Sequence, residues 1–149
     1  MGIFDAVLKA PVPQSVASLY DLAFSTKPNA AIACPEPASV QLPSSIAKLD
    51  TPNYSLSPND LLEKAEAAAA SLDSLDKSSG FGPRFGVCLV FRTALIGFPD
   101  LLYIETMLGE ANATSRIALY SHSVYGYSDL GTNRKRLHAI LQALSDFAV

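Results

Sequence analysis

Apolar residues follow three different rules along this chain. In the first stretch, Ile3, Phe4, Val7 and Leu8 share one helical face, and Pro11 and Pro13 end that piece. A second piece starts near Gln14. Its residues Val16, Leu19, Tyr20, Ala23 and Phe24 follow the i, i+3, i+4, i+7, i+8 spacing of an amphipathic helix. The spacing predicts an N-terminal helical arm over residues 1–26, packed on the core or docked on a partner or a membrane surface.

Between residues 25 and 58 no period survives. Pro28, Pro35, Pro37, Pro43, Pro52 and Pro58 punctuate a stretch that reads as a long loop. Segments such as Ala38–Leu42 suit a short edge strand there. Ser57-Pro58-Asn59-Asp60 then opens a helix: a capping hydroxyl, a proline at the first helical position, and an acid at the positive end of the dipole. The predicted helix runs through Leu61, Leu62, Ala65, Ala68, Ala69 and Leu72, ends near Leu75, and gives way to a loop over 77–83.

Beyond it the period changes to two. Strands are predicted over Arg84–Thr93, Leu101–Met107 and Arg116–Tyr125, joined by Gly97-Phe98-Pro99-Asp100 and by the turn Gly109–Asn112. Such short connections imply antiparallel neighbours. A last helix carries the stripe Leu137, Ile140, Leu141, Leu144 and Phe147. The fold class expected is α+β: a small antiparallel β-sheet of three to five strands with helices packed on one face, plus the helical arm. Residues 27–149 form the single domain of this scheme.

Composition narrows the function. Of 149 residues, 49% are hydrophobic and 17% charged, which fits a packed domain and not a disordered tail. A net charge of -3 and a pI near 5.2 argue against general nucleic-acid binding. Cys34 and Cys88 form no CxxC pair, and His122 and His138 lack zinc-ligand spacing, so neither a metal nor a cofactor is implied. A single disulfide is open to these two, with a reducing compartment mildly preferred. No run reaches the ~18 apolar residues of a transmembrane segment. Met1-Gly2 is a poor myristoylation start because Ala6 replaces the required hydroxyl. A soluble, cytoplasmic or organellar location is therefore expected over a secreted one.

Candidate chemistry gathers around Tyr125–Arg136. Three cations, Arg134, Lys135 and Arg136, crowd the first turn of the last helix, where the dipole favours anions. Something must offset them. Arg92 ends the first strand and Asp100 opens the second. Ser121 and Ser123 share a face of the third strand, and His122 faces the other way. With Tyr127, Asp129, Asn133, Arg134 and Arg136 these polar groups converge on one edge of the sheet. One reading is scaffolding: Asp129 caps the helix and pairs with Arg134 or Arg136, and Asp100 pairs with Arg92. The other is a pocket for a small anionic or amphipathic ligand, built from backbone N–H groups and two arginines. Catalysis is the minority reading. A hydrolase or isomerase would use Asp100 or Asp129, but an adjacent arginine suits acid–base work badly. A serine triad fails because alternation sends His122 away from both serines, and no Gly-x-Ser-x-Gly elbow occurs.

The same residues carry a resemblance. Gly126-Tyr127-Ser128-Asp129-Leu130-Gly131-x-Asn133-Arg134-x-Arg136 resembles the closing motif of domain-of-unknown-function family 1499. Phe91-Arg92-Thr93, Gly97-Phe98-x-Asp100 and, weakly, Lys27-Pro28-Asn29 resemble its earlier motifs, so the likeness covers residues 27–146. Two departures stand out. Val124 occupies the position of an arginine in the family pattern, and Leu101 that of a second acid. The resemblance implies no established activity. It implies relatives that are exported or lipid-anchored in bacteria and organellar in plastid-bearing eukaryotes. A peripheral subunit of a larger, plastid assembly, docking through the arm, is the alternative expectation to a binding domain.

Overall fold

The computed structural model describes residues 9, 11–72, 75–93 and 97–149. The predicted first helical piece, Ile3 to Leu8, lies outside them. Six strands form one sheet: β1 Ala30–Cys34, β2 Ala47–Asp50, β3 Leu75–Ser79, β4 Gly86–Arg92, β5 Pro99–Leu108 and β6 Ser115–Ser123. Their order is β2-β1-β6-β5-β4-β3. β1 and β2 run parallel, and every other neighbouring pair is antiparallel. Helices α1 (Pro58–Ala70) and α2 (Thr132–Ala143) both lie on one face.

The α+β class and the helices on one face agree with the sequence. The sheet is larger than the three to five strands expected, and mixed instead of antiparallel. β1 was hidden by its flanks. Its five residues are all buried, but Pro28 and Pro35 bracket them, and so short a run shows no period. The edge strand expected at Ala38–Leu42 is instead a 3-10 turn at Pro37–Ser39; the actual edge is β2, with alternating burial. β3 replaces an expected loop. It is an exposed, mostly polar edge that pairs with β4 through an irregular register.

The second predicted arm helix is not a helix. Residues 14–25 run extended across the other face of the sheet, with one 3-10 turn at Leu19–Asp21. Side chains of the sheet accept from this strap's backbone. Gln14 N donates to the Tyr103 hydroxyl (3.0 Å), Leu19 N to Glu105 Oε1 (2.7 Å) and Ser25 N to the Tyr120 hydroxyl (2.8 Å). Ser18 Oγ accepts from Tyr20 N and fixes the turn. An isolated helix of this length is marginal in water, so tertiary partners override the spacing.

Two cores result. Between the sheet and the helices, Leu89, Leu102, Ile104, Ile117 and Leu119 meet Leu61, Ala65, Leu137, Ile140 and Leu144. The alanines of α1 allow close approach, and Ser57 caps it by accepting from Asp60 N. On the opposite face, Tyr103, Tyr120, Ile32 and Val90 lie beneath Leu19 and Leu22 of the strap. Cys34 and Cys88 are free and buried on this second face. β6 and β5 separate their strands. Three inter-strand spacings, about 14 Å, exceed the reach of a disulfide.

Candidate functional site

Strand pairing builds the floor of the site. Asp100 stands directly across from Ser123, and Leu102 from Ser121, so the alternation of β5 and β6 turns Asp100, Ser121 and Ser123 toward the helices. Phe91 of β4 pairs with Asp100 on the other side. Over this floor α2 lowers its first turns.

Asn133 and Arg136, one turn apart on α2, complete a buried network. Arg136 donates to Asp100 Oδ2 (3.0 Å), Ser121 Oγ (3.0 Å) and Asn133 Oδ1 (2.7 Å), and its guanidinium lies 5.0 Å over the Phe91 ring. The ion pair is dry, with side chains 4% and 6% exposed. Asn133 Nδ2 donates to Asp129 Oδ2 (2.7 Å), the Asn29 carbonyl (3.0 Å) and Ser123 Oγ (3.1 Å). Ser121 Oγ donates to Asn133 Oδ1 at 2.6 Å.

The offset to the crowded cations is internal. Asp129 Oδ1 accepts from Gly131 N (2.8 Å), and Oδ2 accepts from Asn133 N (2.9 Å). These are backbone groups at the start of α2, so the carboxylate occupies the place an external anion would take. Asp129 bonds Asn133; the expected pairing with Arg134 or Arg136 is not the arrangement found. Asp100 pairs with Arg136, not with Arg92. Arg92 reaches Asp76 of β3 (3.2 Å) and the Gly97 carbonyl in the β4–β5 connection (3.1 Å). Arg134 and Tyr127 are exposed, away from the network. Of the nine predicted site residues, Asp100, Ser121, Ser123, Asp129, Asn133 and Arg136 are brought together.

Beside the network opens a cavity of about 230 Å³. Asp100, Ser123, Asp129, Ser128, Thr93 and Thr132 supply its polar lining, and Phe98 and Tyr125 its aromatic wall. The two rings sit 5.9 Å apart at 38°. The lining is largely apolar, with hydroxyls and two carboxylates as its polar part, and no arginine lines it among the described residues. Phe98, Tyr125 and Asn29 were not singled out as site residues. Asn29 belongs to the Lys27-Pro28-Asn29 motif, which was the available signal. Its Nδ2 donates to the Gly126 carbonyl (2.9 Å) and ties the loop to β1.

The family model DUF1499, described as a protein of unknown function, matches residues 14–144. The chain belongs to DUF1499. The match begins where the strap begins, thirteen residues before the start of the resemblance drawn from motifs alone. No curated protein and no solved structure matches this DUF1499 chain. The segments that carried the resemblance supply both halves of the network: Asp100 from Gly97–Asp100, and Asp129, Asn133 and Arg136 from Gly126–Arg136. Val124 has its backbone N donating to the Pro99 carbonyl and its side chain against the second core.

Proposed function

We propose that this DUF1499 chain is a non-catalytic binding domain. Its cavity at the start of α2 takes a small amphipathic ligand whose head group donates hydrogen bonds. The supporting observation is the lining: an aromatic wall beside hydroxyls and two carboxylates, with the matching guanidinium turned away into the network. An aromatic wall holds the flat or apolar part of a ligand. Hydroxyl and carboxylate oxygens facing the cavity accept hydrogen bonds from an ammonium or a sugar-like head and offer an anion no cation of their own. The anionic ligand open to the sequence is thus the weaker choice. Acid–base chemistry draws no support from carboxylates already bound to a guanidinium and to three N–H donors.

The test is a thermal-shift and native mass-spectrometry titration with short-chain alkyl amines, alkyl glycosides and alkyl carboxylates below their micelle concentrations. Amines or glycosides bind and carboxylates do not. Phe98→Ala and Tyr125→Ala weaken binding about tenfold each, the scale of one lost aromatic contact. Preferential carboxylate binding, or no binding by any of the three, rejects the reading.

A further inference from the structure

The loop that closes the cavity carries two apolar side chains that the fold does not use. Tyr127 is 72% exposed and Leu130 is 88% exposed. Leu130 also adopts φ 54, a left-handed conformation unfavourable for a residue with a branched side chain. Burial therefore does not account for the leucine, and the backbone disfavours it.

Cations surround this tip. Arg134 and Lys135 follow it within the first turn of α2, and both are exposed. Lys27 lies just before β1, whose first residue pairs with His122 near the end of β6, and neighbouring Asn29 bonds the loop itself. Lys27 is exposed too. The described acids of this end are each engaged: Asp129 with the helix start, Asp100 with Arg136, and the more exposed Asp76, on the edge strand β3, with Arg92. Glu36, Glu105 and Glu110 lie toward the other end of the strands, after β1, late in β5 and in the β5–β6 turn. A chain of net charge -3 thus shows a basic end around an apolar tip.

We infer that this tip docks on an anionic lipid surface, with Tyr127 and Leu130 entering the interface and Lys27, Arg134 and Lys135 at headgroup level. Two side chains fall well short of the roughly 800 Å² per partner of a stable protein interface. A bilayer requires only an apolar wedge with cations behind it. Tyrosine suits that boundary, since its ring is apolar and its hydroxyl stays wet. The inference stands whether or not the cavity is filled, because none of these five residues lines it.

Co-sedimentation of the full chain with phosphatidylcholine vesicles, with and without phosphatidylserine, tests it. Binding is expected to the anionic vesicles alone, and to be released as salt rises from about 0.1 to 0.5 M. Leu130→Gly relaxes the backbone, so its melting temperature holds or rises, yet its partitioning falls about tenfold. Arg134→Gln with Lys135→Gln lowers partitioning about twentyfold. Equal sedimentation with both vesicle types, no sedimentation with either, or a Leu130→Gly variant that binds like the parent overturns the inference. In those cases a protein partner becomes the reading of the tip.

Discussion

His122 shows how much one position depends on its face. Alternation takes it off the floor that Ser121 and Ser123 share and stacks it on the second core, 5.2 Å from the Tyr120 ring and 6.3 Å from that of Tyr103. Its Nδ1 lies 3.3 Å from the Ser123 carbonyl, and its Nε2 is buried without a partner. Desolvation lowers its pKa from 6.5; the Ser123 carbonyl and Asp100 oppose that shift less strongly, and Lys27 shares the adjoining cavity. The unfolded chain therefore takes up this proton first as pH falls. Stability is whole above 6.5, drops as pH falls below 6.5, and levels off once the folded state is protonated too. Replacing His122 with Phe keeps a ring in the stack and removes the titration. Urea unfolding of His122→Phe at a series of pH values from about 7.5 to 5 is expected to lose part of the parent's decline. A decline of unchanged steepness assigns the pH sensitivity to other groups. The cysteines are a simpler case. Burial pushes Cys34 to about 11 and Cys88 to about 12, so both remain thiols, small apolar fillers of the second core.

At the scale of elements, α2 is attached to the sheet by polar bonds as much as by its apolar stripe. Leu137, Ile140 and Leu144 bury against β-strand residues, while Asn133 and Arg136 bridge to β5, β6 and the start of β1. An ion pair this dry is costly to break, because the remaining charge stays buried. Asp100→Leu and Arg136→Met are each expected to lose about 3–5 kcal/mol in urea unfolding. Joining Asp100→Leu with Arg136→Met should recover much of that loss, and additive losses would mean the two groups act independently. The sequence showed the helix stripe, the three long strands and the convergence of six polar residues, because periods of two and 3.6 are long-range signals in a single element. It could not show which cation Asp100 selects. Arg92 and Arg136 differ in strand and helix face, not in chemistry, and only the register Phe91–Asp100 with α2 above it decides. β1 and β2 were illegible for a related reason: the five residues of β1 are buried without alternation, the four of β2 alternate but are too few to stand out between prolines, and both are strands through their partners.

The whole molecule is a sheet with both faces to cover. Helices cover one; the strap over residues 14–25 covers the other. A domain boundary after residue 26 predicts that 27–149 folds alone. The strap's hydrogen bonds, and a family match that starts at residue 14, predict the reverse. Removing the strap strips Leu19 and Leu22 from Tyr103, Tyr120 and Ile32 and leaves the acceptors Glu105 and Tyr120 without their donors. Each buried leucine contributes about 1.5–3 kcal/mol, and half-buried Val16, Tyr20 and Phe24 add to that. The total is comparable to the roughly 5–15 kcal/mol that holds a typical domain together. A chain beginning at residue 27 is therefore expected to lose its cooperative thermal transition and expose dye-binding apolar surface. A milder version isolates the contact. Val16 N donates to the Phe81 carbonyl (3.0 Å), and Gly82 sits beside it at φ 132, where a Cβ would run into the Val16 carbonyl oxygen. Gly82→Ala must push the strap off the sheet, and a loss of about 1–3 kcal/mol is expected. Hydrogen exchange would then rise first at Val16 and Leu19. If 27–149 melts cooperatively at the parent's temperature, the strap is an appendage, and the second face needs no cover of its own.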